Sequence, residues 1–169
     1  MTTYSQAKLM HCLGMLTKTI RRFDESEKYY ESAIGIFIEF GSLQDLGGSY
    51  YGLGTIAHEL KEFEKARNYY NKSFEIFTIF SEHHSQARVY HNLGAMSQQL
   101  NEFDEAIVNY IKAIEIYVQL DDKHLASLTL RNCAYLYKSH PSPHLLSTIS
   151  QVLNISGAEV LQLFEDVTA

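Results

Sequence analysis

A recurrence of forty residues runs through most of this 169-residue chain and limits what it can fold into. Leu13-Gly14 returns as Leu53-Gly54 and again as Leu93-Gly94. Around that pair recur a large residue three positions earlier (Met10, Tyr50, Tyr90), a phenylalanine (Phe23, Phe63, Phe103) and a small residue (Ser26, Ala66, Ala106). A tyrosine (Tyr30, Tyr70, Tyr110) and a second small residue (Ala33, Ser73, Ala113) complete the unit, and even its lead-in repeats, as SQAK at 5–8 and SQAR at 85–88. A unit of this length cannot bury its apolar face alone, so copies must stack on one another.

Each unit reads as two helices. The first, type A, carries Leu-Gly and covers 4–20, 43–60, 83–100 and, in a fourth copy, 123–139. The second, type B, covers 23–40, 63–80 and 103–120. In the first B helix, Phe23, Ser26, Tyr30, Ala33 and Phe37 fall at helical spacing and make one apolar stripe. Small residues alternate with rings there, the pattern that lets neighbouring helices approach closely. Two prolines and nine glycines leave little for an all-β fold, and the expectation is an all-α protein.

One string suggests something else. YYGLGTIAHEL, 50–60, holds Gly52, Gly54 and Ala57 at the spacing of a dinucleotide-binding loop. That chemistry needs a preceding strand, and 43–51 shows no alternating pattern. Gly54 also has counterparts in Gly14 and Gly94, and a phosphate loop is needed once rather than three times. The glycines read as contact points where a Cβ would push helix A off its neighbour.

These residues resemble the tetratricopeptide repeat family over residues 4 to about 139. Its usual unit is ~34 residues, so the repeats here are longer, and its closing proline is replaced near Ile38, Thr78 and Val118. Longer helices are the simplest account. The resemblance implies a right-handed α-solenoid of antiparallel helix pairs, with three repeats (about 4–42, 43–82, 83–122), a fourth A helix at 123–139, and a C-terminal helical cap over 140–169. In the family, A helices line the concave side. Long units of this kind look like those of large bacterial signalling proteins and peptide-pheromone receptors, and the chain is expected to be cut from something larger.

In the tail, HPSPH (140–144) ends the fourth A helix, because two prolines in that space break it. Residues 145–153 and 156–167 read as two short helices, the second started by Ser156 as N-cap, Glu159 in a capping box and Ile155 against Val160. The stretch 149–164 also resembles a helix-turn-helix. Its exposed candidates, Gly157, Ala158, Glu159 and Gln162, stand beside Glu165 and Asp166 with no Lys or Arg after 139, so a DNA-binding regulator is an alternative and a cap the main reading. Leu146, Ile149, Val152, Val160 and Leu163 are available to cover the end of the array.

A net charge of −6 argues against general affinity for nucleic acid or an anionic membrane. No targeting segment or membrane span is visible, and a cytoplasmic protein is expected. Cys12 and Cys133 are too few for a disulfide framework and are expected as small core hydrophobes. His83 and His84 are expected in a loop, no Cys/His set has metal-ligand spacing, and no nucleophile has a partner: no metal, no cofactor and no enzyme are anticipated.

Function is expected on the A-helix face. The A stretches carry six Lys/Arg against Asp45 and Glu59, whereas the B stretches carry ten Asp/Glu against five Lys/Arg. Opposite the Leu-Gly stripe run Lys8, His11, Met15 and Lys18; then Tyr51, Thr55 and His58; then Arg88, His91 and Gln98; then Arg131, Tyr135 and Lys138, with Asn92 and Asn132 beside them. This mixture suits a peptide or partner helix of acidic character, which makes the chain a scaffold or sensor module or, as an alternative, the peptide-signal receptor part of a larger regulatory protein. The family's carboxylate clamp does not carry over, because His11, Met15 and Gly52 stand at three of its places. The first repeat begins almost at Met1, so Leu9 and Leu16 are expected exposed and self-association through that end follows.

Overall fold

The computed structural model describes residues 3–168, and no strand occurs among them. The chain forms two compact units, Met1–Glu82 and His83–Ala169. The first holds α1 (Tyr4–Thr19), α2 (Phe23–Glu39), α3 (Leu43–Glu59) and α4 (Phe63–Ile79). The second holds α5 (His83–Gln99), α6 (Phe103–Gln119), α7 (Lys123–Ser139), α8 (Pro143–Leu153) and α9 (Gly157–Asp166). This is the all-α fold of repeated helix pairs that the recurrence predicts.

One device ends each of the first six helices. Arg21, Gly41, Lys61, Ser81, Asn101 and Asp121 all have φ between 53° and 66°, at intervals of twenty residues. After α1, the Arg22 amide donates to the Thr17 carbonyl (2.9 Å) and the Arg21 amide to that of Lys18 (2.9 Å). That pair of bonds is the Schellman motif, and it recurs at each of the other five turns. It closes helices of 16 or 17 residues without a proline. Only one of the six positions is glycine, although a left-handed residue with a Cβ costs roughly 1–2 kcal/mol.

In the first unit, α1 packs on α2, α2 on α3 and α3 on α4. Tyr30 of α2 is 1 % exposed and fills the space between two glycines. A Cβ on Gly14 would lie 2.9 Å from its ring, and one on Gly52 closer still. Gly54 meets the Tyr70 ring in the same way, at 2.7 Å. The nucleotide-like spacing of Gly52 and Gly54 therefore records two aromatic contacts, one to the preceding B helix and one to its own. Buried Ser26 and Ser73 each donate to a glycine carbonyl, Gly14 at 2.7 Å and Gly47 at 2.9 Å, so their hydroxyls are satisfied where alanine stands elsewhere.

In the second unit, α5 packs on α6 and α6 on α7, and a Cβ on Gly94 would lie 2.7 Å from the Tyr110 ring. Then α8 packs on α6, and α9 on α7 and α8. Leu145, Ile149, Val160 and Phe164 of the tail join one core with Ala106, Tyr110, Ile114, Cys133 and Leu136. Pro143 occupies the first turn of α8, where no amide is needed, so this helix starts two residues before the expected 145. Asn154 takes the left-handed conformation at its end, and Ser156 and Glu159 form the expected capping box.

Two expectations are corrected. Cys133 is buried, and burial pushes its thiol up, but Cys12 is exposed. Cys12 stands forty residues before Gly52, the position that Tyr30 covers in α3. His83 and His84 lie in the first turn of α5 rather than in a loop. His84 Nε2 reaches Asp122 Oδ2 at 3.1 Å.

Candidate functional site

In the first unit, Lys8 and Lys18 belong to α1 and Tyr51 and His58 to α3. Lys8 is exposed and its Nζ lies 4.8 Å from the centre of the Tyr4 ring. The hydrogen bond with Tyr4, above all, raises its pKa. Lys18 donates to the Thr55 hydroxyl at 3.0 Å and hangs 6.0 Å over the Tyr51 ring, so a cation and a ring share one spot between adjacent A helices. Half-buried His11 bonds Ser49 Oγ through Nδ1 (2.9 Å) and stands edge-on to Tyr30 at 5.5 Å. Burial holds its pKa below the usual value. His58 stands edge-on to Tyr70 at 6.4 Å and tilts against Phe63 at 6.1 Å.

In the second unit the same construction appears eighty residues later. His91 Nδ1 meets Thr129 Oγ1 at 2.9 Å and its ring lies 5.8 Å from Tyr110, with its pKa again lowered by burial. Here Asn132 adds a contact, its Nδ2 lying 3.5 Å from His91 Nε2, and Tyr110 donates to Gln98 at 2.9 Å. Arg88 is exposed and Asn92 half-buried on α5.

Of the expected row on α7, Tyr135 is half exposed, but the two cations are engaged by the end of the chain. Arg131 Nε donates to the Val167 carbonyl at 3.0 Å, and Lys138 donates to the Thr168 hydroxyl at 2.7 Å. Arg131 thus meets the carbonyl end of α9, where a cation is favoured.

The structure therefore gathers Lys18, Tyr51 and Thr55 in one unit and His91, Asn132 and Gln98 in the other. Sequence reasoning overlooked Ser49 and Thr129, which hold the two histidines. The signal was present: each hydroxyl follows its histidine by 38 residues, and the two pairs are eighty apart. Among the described residues, no group of three or more His, Cys, Asp or Glu could hold a metal ion, and no helix is long and apolar enough to cross a membrane.

Comparison with known proteins bears on this arrangement. No curated protein matches the chain. Among solved structures, 40 chains match. One is the crystal structure of BtubC (BKLC) from P. vanneervenii, with a TM-score of 0.72 and 24% identity over 96% of this chain and 60% of that one. The present chain thus spans 60% of that protein, and the likeness concerns the fold. Two profiles described as tetratricopeptide repeat match at residues 5–79 and 86–120, more than half of the sequence. With its helix pairs, its glycine-to-tyrosine contacts and these matches, the chain belongs to the tetratricopeptide repeat family.

Proposed function

We propose that this chain, whose family generally mediates protein–protein interaction, recognises an acidic peptide or partner helix along its A-helix face. The observation that carries this reading is the cluster on α1 and α3, where the Lys18 ammonium sits on Thr55 beside the face of Tyr51. A carboxylate arriving there gains a charge-assisted hydrogen bond, and the ring offers flat apolar area beside it. His11 does not offer a ready donor to such a ligand, since Ser49 and Tyr30 occupy it; its place is in the packing of α1 on α3.

The second unit supports the same reading more narrowly. Arg131 and Lys138 hold the tail, and Arg88 and Tyr135 are exposed to a ligand on α5 and α7. Binding there centres on Arg88, Asn92 and Tyr135.

The test is affinity capture from native lysate with wild type and with Lys18→Glu, Tyr51→Ala and Arg88→Glu variants. Proteins retained by wild type and lost by all three, with unchanged melting of the variants, support the reading. Retention of one common set by wild type and variants ends it.

A further inference from the structure

We infer that His91 of α5 and Asn132 of α7 form a proton-operated switch. When His91 takes up a second proton, the Asn132 side-chain amide turns over, and α7 presents an NH2 donor where it had presented a carbonyl acceptor. The turning of the amide stands on hydrogen-bond geometry, and its consequence for a partner rests on the A-helix reading given above.

The hydrogens of this network are assigned from its two ends. The Thr129 hydroxyl lies 2.8 Å from the Leu125 carbonyl, which can only accept, so its one hydrogen is committed there. His91 Nδ1, 2.9 Å from the same hydroxyl, is therefore the donor of that pair. In the neutral ring the other nitrogen, Nε2, carries no hydrogen and accepts, and the group facing it is Asn132 Nδ2 at 3.5 Å. At the far end, Tyr110 donates its hydroxyl hydrogen to Gln98 at 2.9 Å, which leaves its oxygen to accept. Burial pushes this hydroxyl up, and a hydrogen bond from Asn132 works against that shift. Both neighbours thus take the NH2 end of half-buried Asn132 and turn Oδ1 away from them.

A second proton reverses one end of the network. Nε2 becomes a donor facing a donor, and within the Asn132 amide only Oδ1 can accept from it. Half a turn of the amide gives up the bond to Tyr110 and gains a charge-assisted one to the imidazolium. Few other groups bear on the ring. From α6 the titratable neighbour is Tyr110, 5.8 Å away, and Cys133 follows Asn132 in α7. Burial pushes the Tyr110 hydroxyl and the Cys133 thiol up, so both stay neutral while His91 titrates. Arg131 is held by the Val167 carbonyl, and Arg88 on α5 is exposed. Burial alone lowers the pKa of His91. In the first unit Gly52 stands at the place of Asn132, so the His11 ring has no amide to turn.

Nitrogen NMR of the full, isotope-labelled chain reads both groups without a partner. At neutral pH His91 should carry its proton on Nδ1. On acidification the Asn132 amide resonances should shift with the same midpoint as the His91 ring, below 6.5, and that shift should be lost in His91→Gln. Thr129→Val keeps the buried shape and removes the acceptor that holds Nδ1–H. It should let the proton move to Nε2 and bring the acid-form Asn132 resonances to neutral pH. A proton on Nε2 in the wild type at neutral pH overturns the inference, as do Asn132 resonances that stay still while His91 titrates. Unfolding before His91 titrates overturns it as well. The lysate capture with Lys18, Tyr51 and Arg88 variants touches neither residue, so either result can fail without the other.

Discussion

The first A-helix pair of the amino-terminal unit and its counterpart eighty residues later are two versions of one construction. In both, a histidine bonds a hydroxyl on the next A helix at 2.9 Å, above a buried tyrosine. They differ in what stands over that tyrosine. Gly52 lets the Tyr30 ring fill the whole space, whereas Asn132 approaches His91 and Tyr110 donates to Gln98. They differ also in use of the outer positions: Lys18 rests on Thr55 of its own unit's face, while Arg131 and Lys138 hold the tail. Packing residues are thus kept between the copies, and the polar positions around them are free to vary.

The largest test removes what the two share. Tyr30→Ala and Tyr110→Ala should each cost about 3–5 kcal/mol in denaturant unfolding, as deletion of a buried ring does. If one were far cheaper, the two sites would not be equivalent. Exchanging the feature that differs comes next. Gly52→Asn drives a side chain into the Tyr30 ring and should cost roughly 1–3 kcal/mol. Asn132→Gly lacks that clash and should cost only about 0.3–0.5 kcal/mol, the difference in helix propensity between asparagine and glycine.

Removing single hydroxyls sharpens the comparison further. Tyr110→Phe gives up the bond to Gln98 and should lose about 1 kcal/mol. Tyr70→Phe should be neutral or stabilising, because the Tyr70 hydroxyl is buried without a hydrogen-bond partner among the described residues.

Acid probes the histidines. Burial lowers the pKa of both His11 and His91 from 6.5, so the unfolded chain binds more protons below that pH. The stability they contribute is present above pH 6.5 and falls as the solution is acidified. Asp45 and Lys18 bear on His11, the first opposing the shift and the second aiding it, whereas burial alone acts on His91. A His91→Gln variant should therefore flatten the fall in melting temperature between pH 7.5 and 5.5 at least as much as His11→Gln. The smallest effect is expected at the surface, where Arg131→Ala should shift stability by within about 0.5 kcal/mol.

Much of this was legible because three copies of each position sit in one chain. Helix limits read from the recurrence match those of α1 to α7 to within a residue, and Tyr30 and Gly14 announce their contact by returning together. What stops the helices was not legible: five of the six left-handed residues are Arg, Lys, Ser, Asn and Asp, so glycine did not mark the turns. Cys12 was misplaced because its surroundings depend on a neighbouring helix rather than on its own stripe. The engagement of Arg131 and Lys138 was equally hidden, since it depends on where residues 167 and 168 come to lie.

The even interval between the left-handed turns has a consequence for how such a chain can lengthen. Duplicating twenty residues would set an A helix's side chains in a B helix's place, with rings facing rings and no glycine to receive them. Duplicating forty would insert a complete tyrosine with both of its seats, so growth by whole pairs is the only increment that leaves every existing ring where it was.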